Sequence, residues 1–170
     1  MPLVPLDTLP DDARTWVFAA TPALEAGAAT RLLAEVDEHL ARWQAHGEPL
    51  TVARALTDDR FLLVAVDQRS ANASGCSIDG LFRTLRESEG RFGVSLVAGG
   101  RVFWRDASGA VHGGARDAFV AAAGAGGITS DTPVFDTTVG TLGAWRAGFE
   151  KRAAESWHGQ LVAPRAASRG

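Results

Sequence analysis

Cys76 is the only cysteine of the chain, and it stands in the string Ser74-Gly75-Cys76-Ser77-Ile78-Asp79. A long apolar run precedes this string and a helical pattern follows it, so the thiol is expected at the mouth of a helix. Backbone N–H groups point outward there, and the positive end of the helix dipole favours a thiolate. On this reading residues 72–77 form a backbone nest for an anion or for that thiolate. Gly75 permits a left-handed turn, and Ser77 or Cys76 caps the helix. Asp79, in the first turn, suits the dipole but opposes a thiolate close to it. The plainer reading makes Ser74 and Ser77 simple caps and Cys76 a small buried hydrophobe.

A thiol nucleophile needs a base. His46 and His158 are each followed by glycine, in Ala45-His46-Gly47 and Trp157-His158-Gly159. Both pairs read as helix C-termini, where histidine suits the dipole and glycine supplies the left-handed cap. As a general base, either would have to come within ~3 Å of the sulfur in the substrate complex. Asp67 and Asp79 flank the cysteine in sequence, and paired carboxylates serve acid–base work or divalent ions. A turn aspartate and a helix-start aspartate are the simpler account. His39 lies at the edge of a helical stripe, and His112 stands beside Gly113-Gly114 in an expected loop. There is no His-Glu-x-x-His and no Cys-x-x-Cys, so neither a zinc site nor a cofactor is expected.

Composition narrows the function classes. Of 170 residues, 46% are hydrophobic and 22% charged, values that suit a globular domain with a full core. Net charge is −3 and the basic residues are scattered, which argues against nucleic acid. The single lysine, Lys151, lies between Glu150 and Arg152, so the chain has no Gly-Lys-Ser/Thr phosphate loop. The start Met1-Pro2-Leu3-Val4-Pro5 is not a signal peptide, and no apolar stretch approaches the ~20 residues that cross a bilayer. One cysteine also fits a reducing compartment, so a cytoplasmic protein is expected.

The elements that would position these residues follow from periodicity. Residues 15–20 read as a strand apolar on both faces. Residues 23–46 read as a helix with Ala29, Leu32, Leu33, Val36, Leu40 and Trp43 in one stripe. Residues 50–56 alternate like an edge or half-exposed strand, and 60–66 are again apolar on both faces. A second helix carries Ile78, Leu81, Phe82, Leu85 and Phe92, and 102–105 read as a further strand. The order strand, helix, strand, strand, helix, strand is the split-βαβ, or ferredoxin-like, arrangement: an α+β fold with helices on one face and the first and third strands central. Its alternative is another α+β sandwich with a mixed sheet. In this topology the first helix ends at the rim opposite Cys76, which separates His46 from the thiol and leaves His158 as its candidate base. Residues 1–110 are then the core, 111–163 a C-terminal extension and 164–170 a disordered tail. The extension reads as a helix at 115–123, a glycine link, a strand at 132–135 and a terminal helix with Trp145, Phe149, Ala153 and Trp157 at four-residue steps.

A resemblance runs through most of the chain. Leu9-Pro10-Asp11-Asp12-Ala13-Arg14-Thr15-Trp16, Trp43-Gln44-Ala45-His46-Gly47, Ala65-Val66-Asp67, Gly75-Cys76-Ser77-Ile78-Asp79 and Glu155-Ser156-Trp157-His158 resemble a family of short, uncharacterised bacterial proteins often labelled "ABC transporter ATPase". The resemblance implies that Cys76, His46, Asp67, Asp79 and His158 fall in family-like strings. The label calls for a phosphate loop that this sequence lacks. The expectation is a thiol-dependent or small-ligand site at the Cys76 loop, with Cys76 and His158 catalytic and Ser74, Gly75, Ser77, Asp67 and Asp79 binding. The alternative is a non-catalytic interaction or oligomerisation module, in which the aromatic residues Trp145 and Trp157 dock a partner or a second copy. Expected partners are a small molecule or a homodimer, not nucleic acid or membrane.

Overall fold

The computed structural model describes residues 3–69 and 75–162, and at residues 75 and 76 the backbone alone. In chain order the elements are β1 (Arg14–Ala19), α1 (Ala26–Ala41), β2 (Gln44–Ala45), β3 (Glu48–Pro49), β4 (Thr51–Thr57), β5 (Phe61–Asp67), α2 (Gly75–Phe92), β6 (Arg101–Arg105), β7 (Val111–Ala115), α3 (Arg116–Gly124), β8 (Pro133–Phe135), α4 (Leu142–Gly148), β9 (Glu150–Arg152) and α5 (Gly159–Val162). The class is α+β with antiparallel sheets. None of the described helices is long and apolar enough to cross a membrane. The chain divides into two compact units, residues 1–98 with 137–147, and residues 99–136 with 148–170. The expected tail, 164–170, lies outside the described residues.

In the first unit three strands form a sheet in the order β1-β5-β4. All seven residues of β5 are buried, because apolar side chains meet it on both faces. One face carries Phe18, Leu62, Val64 and Val66 against Leu32 and Val36 of α1 and Leu81 and Leu85 of α2. Leu63 and Ala65 face the other way, towards Leu9, Ala13 and Leu142. Asp58 and Asp59 turn the chain between β4 and β5 at φ 55° and 50°. Aspartate tolerates this left-handed region better than most side chains.

The expected first helix is shortened. It stops at Ala41, and Trp43 leaves the helical path to bury its ring and donate its indole N–H to the Ser77 carbonyl at 2.8 Å. His46 and Gly47, with φ 51° and 81°, are the two-residue turn of the β2–β3 hairpin. His46 is therefore not a helix C-terminus. Successive positive φ angles are what a tight hairpin turn requires.

The expected fourth strand of the first sheet, β6, pairs instead with β7 and β8 in the second unit, whose sheet runs β7-β6-β8-β9. Among the described residues β1 consequently has a strand on one side only. β7 was hidden in the sequence by its glycines, Gly113 and Gly114, and it places His112 on a strand rather than in a loop. α3 buries Phe119 against Val102, Ile128, Val134 and Ala153. The expected terminal helix does not form. Trp145 lies in α4 of the first unit, whereas Phe149 and Trp157 belong to the second, on either side of β9 and a 3-10 turn at Ala153–Glu155. The Phe149 ring lies 5.6 Å from that of Phe135 in β8, tilted by 54°, a contact that the four-residue spacing conceals.

Candidate functional site

The start of α2 is where the sequence concentrates its chemistry. Gly75 opens this 18-residue helix and Cys76 is its second residue, as the helix-mouth reading expects. Ser74 and the rest of residues 70–74 lie outside the described residues, as do the side chains of residues 75 and 76. Ser77 is buried and donates its hydroxyl to the Gln44 carbonyl at 2.8 Å. With the Trp43 indole bond, this straps the first turn of α2 to the β2–β3 hairpin.

Asp67 closes β5 and is buried, yet its carboxylate is fully engaged. It accepts the Arg69 backbone N–H at 2.9 Å, and the Arg69 guanidinium grips both oxygens at 2.7 to 3.1 Å. These bonds hold the carboxyl below its usual range, against the upward push of burial. Asp79 is exposed on α2. Among the described residues no group of three or more His, Cys, Asp or Glu side chains is arranged to hold a metal ion.

The histidines occupy different settings. His158 is completely buried in the second unit, while Cys76 belongs to the first. It precedes α5 rather than ending a helix. Its ring stacks on Trp157 at 3.8 Å and meets Phe119 edge-on at 5.8 Å. Nδ1 lies 2.7 Å from the Ser156 hydroxyl, and Nε2 is enclosed without a partner. Burial pushes its pKa down to about 4; Lys151 adds to that and Asp136 opposes it. Gly159 follows because a Cβ there would come 2.8 Å from the Ala153 carbonyl. The glycine thus permits a close approach and does not serve as a left-handed cap. His39 is held between α1 and α2, its Nδ1 3.2 Å from Thr84 Oγ1, with its pKa lowered by burial and then by Arg42.

Asp106, Ser108 and His112 come together at the β6–β7 turn. The His112 Nε2 is 2.6 Å from one Asp106 oxygen, and the Ser108 hydroxyl donates to the other at 2.5 Å. The carboxylate is the hub of this group, so the serine is bonded to the aspartate and not to the imidazole. A nucleophilic triad needs serine and histidine in contact. Asp106 also accepts the N–H groups of Ser108 and Ala110, and the Ser108 and His112 bonds hold its carboxyl well below the usual range. These are the bonds of an aspartate that builds a turn.

The structure also presents a cleft that no motif announces. It lies along the unpaired edge of β1 and encloses about 380 Å³, a volume typical of small-ligand sites. Arg14, Trp16, Val17, Phe82, Val97 and Thr137 are among its walls. The backbone of β1 alternates. Ala20 N–H turns inward to the Arg60 carbonyl at 2.7 Å, whereas Thr15 N–H turns outward to the Gly140 carbonyl at 3.0 Å. Thr21 also faces outward and exchanges two bonds with Ser95, at 2.9 and 2.8 Å. Val17 and Ala19 lie between these two bridges with the same outward parity. The N–H and C=O groups of Val17 face the cleft, those of Ala19 continue the same edge beyond its walls, and neither residue's N–H or C=O meets a backbone partner among the described residues. The sequence carries a signal for the apolar strand but none for which of its sides stays open.

Comparison of the chain with known protein families, with curated proteins and with solved structures gives no match.

Proposed function

We propose that the chain is a non-catalytic binding module whose ligand or partner lies in the cleft on the open edge of β1. The observation that carries this reading is the outward-facing peptide group of Val17, set in a concave wall with Trp16 and Phe82 and followed along the same edge by that of Ala19. Buried polar groups seek partners, and an open strand edge is a template for pairing. Two of the expected binding groups are engaged by the protein itself, Asp67 with Arg69 and Ser77 with Gln44, and the expected base His158 is buried. The first unit is, on this proposal, a split-βαβ sheet whose fourth position is filled in two pieces. Ser95 bridges to Thr21 and Thr141 bridges to Arg14, both antiparallel, and residues 99–136 are inserted between those pieces.

A second reading keeps the Cys76 site as a thiol-dependent or anion-binding centre in a cytoplasmic protein, with His158 as its base. The start of α2 at Gly75 favours it, because Cys76 then has the helix N-terminus beside it. It predicts a thiolate that forms below neutral pH, seen as iodoacetamide labelling that persists at acidic pH. A thiol inert at every pH would remove this reading.

One experiment separates the two. Small amides and carboxylates are titrated into isotope-labelled protein and followed residue by residue by nuclear magnetic resonance. The cleft reading expects shifts at Val17, Ala19 and the Trp16 indole, unchanged by Cys76→Ser. Shifts confined to the start of α2 and abolished by Cys76→Ser would contradict it.

A further inference from the structure

The walls of the β1 cleft are chemically one-sided. Arg14 and three threonines line it, and no aspartate or glutamate does, although the chain as a whole carries 20 acidic residues against 17 basic ones. The Arg14 guanidinium lies 4.7 Å over the Trp16 ring, and Arg86 lies 5.9 Å from the Phe82 ring. Neither arginine makes an ion pair with a carboxylate among the described residues. Arginine held over an aromatic face keeps its charge available to an incoming anion.

The outward peptide groups of Val17 and Ala19 are two residues apart. That is the repeat with which an extended chain presents its own N–H and C=O groups, at ~3.4 Å per residue. The segments that bridge to either end of β1 on this side both run antiparallel to it. The open interval therefore has the direction and spacing of a missing piece of strand about three residues long.

We propose that the occupant of this cleft is an acidic segment of a partner protein, bound in extended form as a short strand antiparallel to β1. Its backbone pairs with Val17 and Ala19, and the alternate side chains on its one inner-facing side set an apolar group against Trp16 and Phe82 and a carboxylate against Arg14. This rests on the binding-module reading and adds the ligand's chemistry to it.

The test uses the full chain and the peptide acetyl-Val-Thr-Val-Thr-Glu-amide as probe, whose valines and glutamate share one face of an extended strand and whose C-terminal end would lie at Arg14. Binding is expected to shift the Val17 and Ala19 amides and to slow their hydrogen exchange about tenfold or more at saturation. Replacing the glutamate by lysine, or N-methylating alternate peptide nitrogens, is expected to weaken binding about tenfold each. Arg14→Gln should weaken the acidic peptide several-fold with an otherwise unchanged spectrum. Equal binding of the lysine peptide, or of the N-methylated one, would overturn the proposal whatever the fate of the arginine variant. If no peptide binds at millimolar concentration while Val17 and Ala19 exchange freely, the acidic-strand assignment fails and the open cleft stands. If these amides are already protected in the free protein, both readings fail.

Discussion

β1 and β5 are neighbours with the same sequence pattern and opposite fates. Both read as apolar on both faces. β5 has a strand on each side and buries all seven of its residues. β1 has β5 on one side and on the other, among the described residues, the bridges at Arg14 and Thr21 and the Thr15 bond to Gly140, so Val17 and Ala19 remain half-buried. The difference separates two properties that a hydrophobic run merges. Periodicity reports which faces of a strand meet apolar neighbours; it does not report whether its edges are paired.

The largest effect that sharpens this comparison comes from matched truncations. Leu63→Ala in β5 removes a buried side chain and should cost about 2–5 kcal/mol in urea unfolding. Val17→Ala on the same face of β1 should cost less than about 1 kcal/mol. Equal costs would mean that β1 is as enclosed as β5.

Next comes pH, which acts on the second unit. His158 titrates near 4 in the folded chain and near 6.5 unfolded, so the unfolded chain binds the extra proton between those values. This contribution is complete above about pH 6.5 and is lost as pH falls towards 4, on the order of 3 kcal/mol in all. His158→Asn should flatten that part of the stability profile and leave the behaviour of β1 unchanged. An unaltered acid slope in the variant would refute the assignment.

Thr15→Val is the smallest change. It deletes the hydroxyl bond to the Val139 carbonyl at 3.0 Å and should cost about 1 kcal/mol. Because that bond pins one end of the open interval, faster exchange at Thr15 is expected, with Trp16 unaffected. Protection that is unchanged at Thr15 would show that the bridge is held from elsewhere.

Much of the first unit was legible in the sequence because it follows one-dimensional rules. The Ala29, Leu32, Val36, Leu40 stripe, the buried run of β5 and the helix after Gly75 all appear where periodicity puts them. What was illegible depends on partners distant in sequence. Trp43 leaves α1 for a bond 34 residues away, and β6 joins a different sheet through β7, whose glycines mask it. The two histidine–glycine pairs make the same point. One is a hairpin turn that needs positive φ, and the other a crowded contact that excludes a Cβ. Ser77 and Asp67 were conspicuous as polar residues near a thiol, and their bonds to Gln44 and Arg69 became visible only in three dimensions. The cleft went unnoticed because its polar groups are peptide bonds, which every residue type shares.

Hydrogen exchange at single residues of β1 tests the central claim most directly. Trp16 and Phe18, which face β5, should be protected, while Val17 and Ala19 should exchange at least about a hundredfold faster. Protection of Val17 and Ala19 equal to that of Trp16 and Phe18 would mean that the edge is closed and that the cleft is not a binding site.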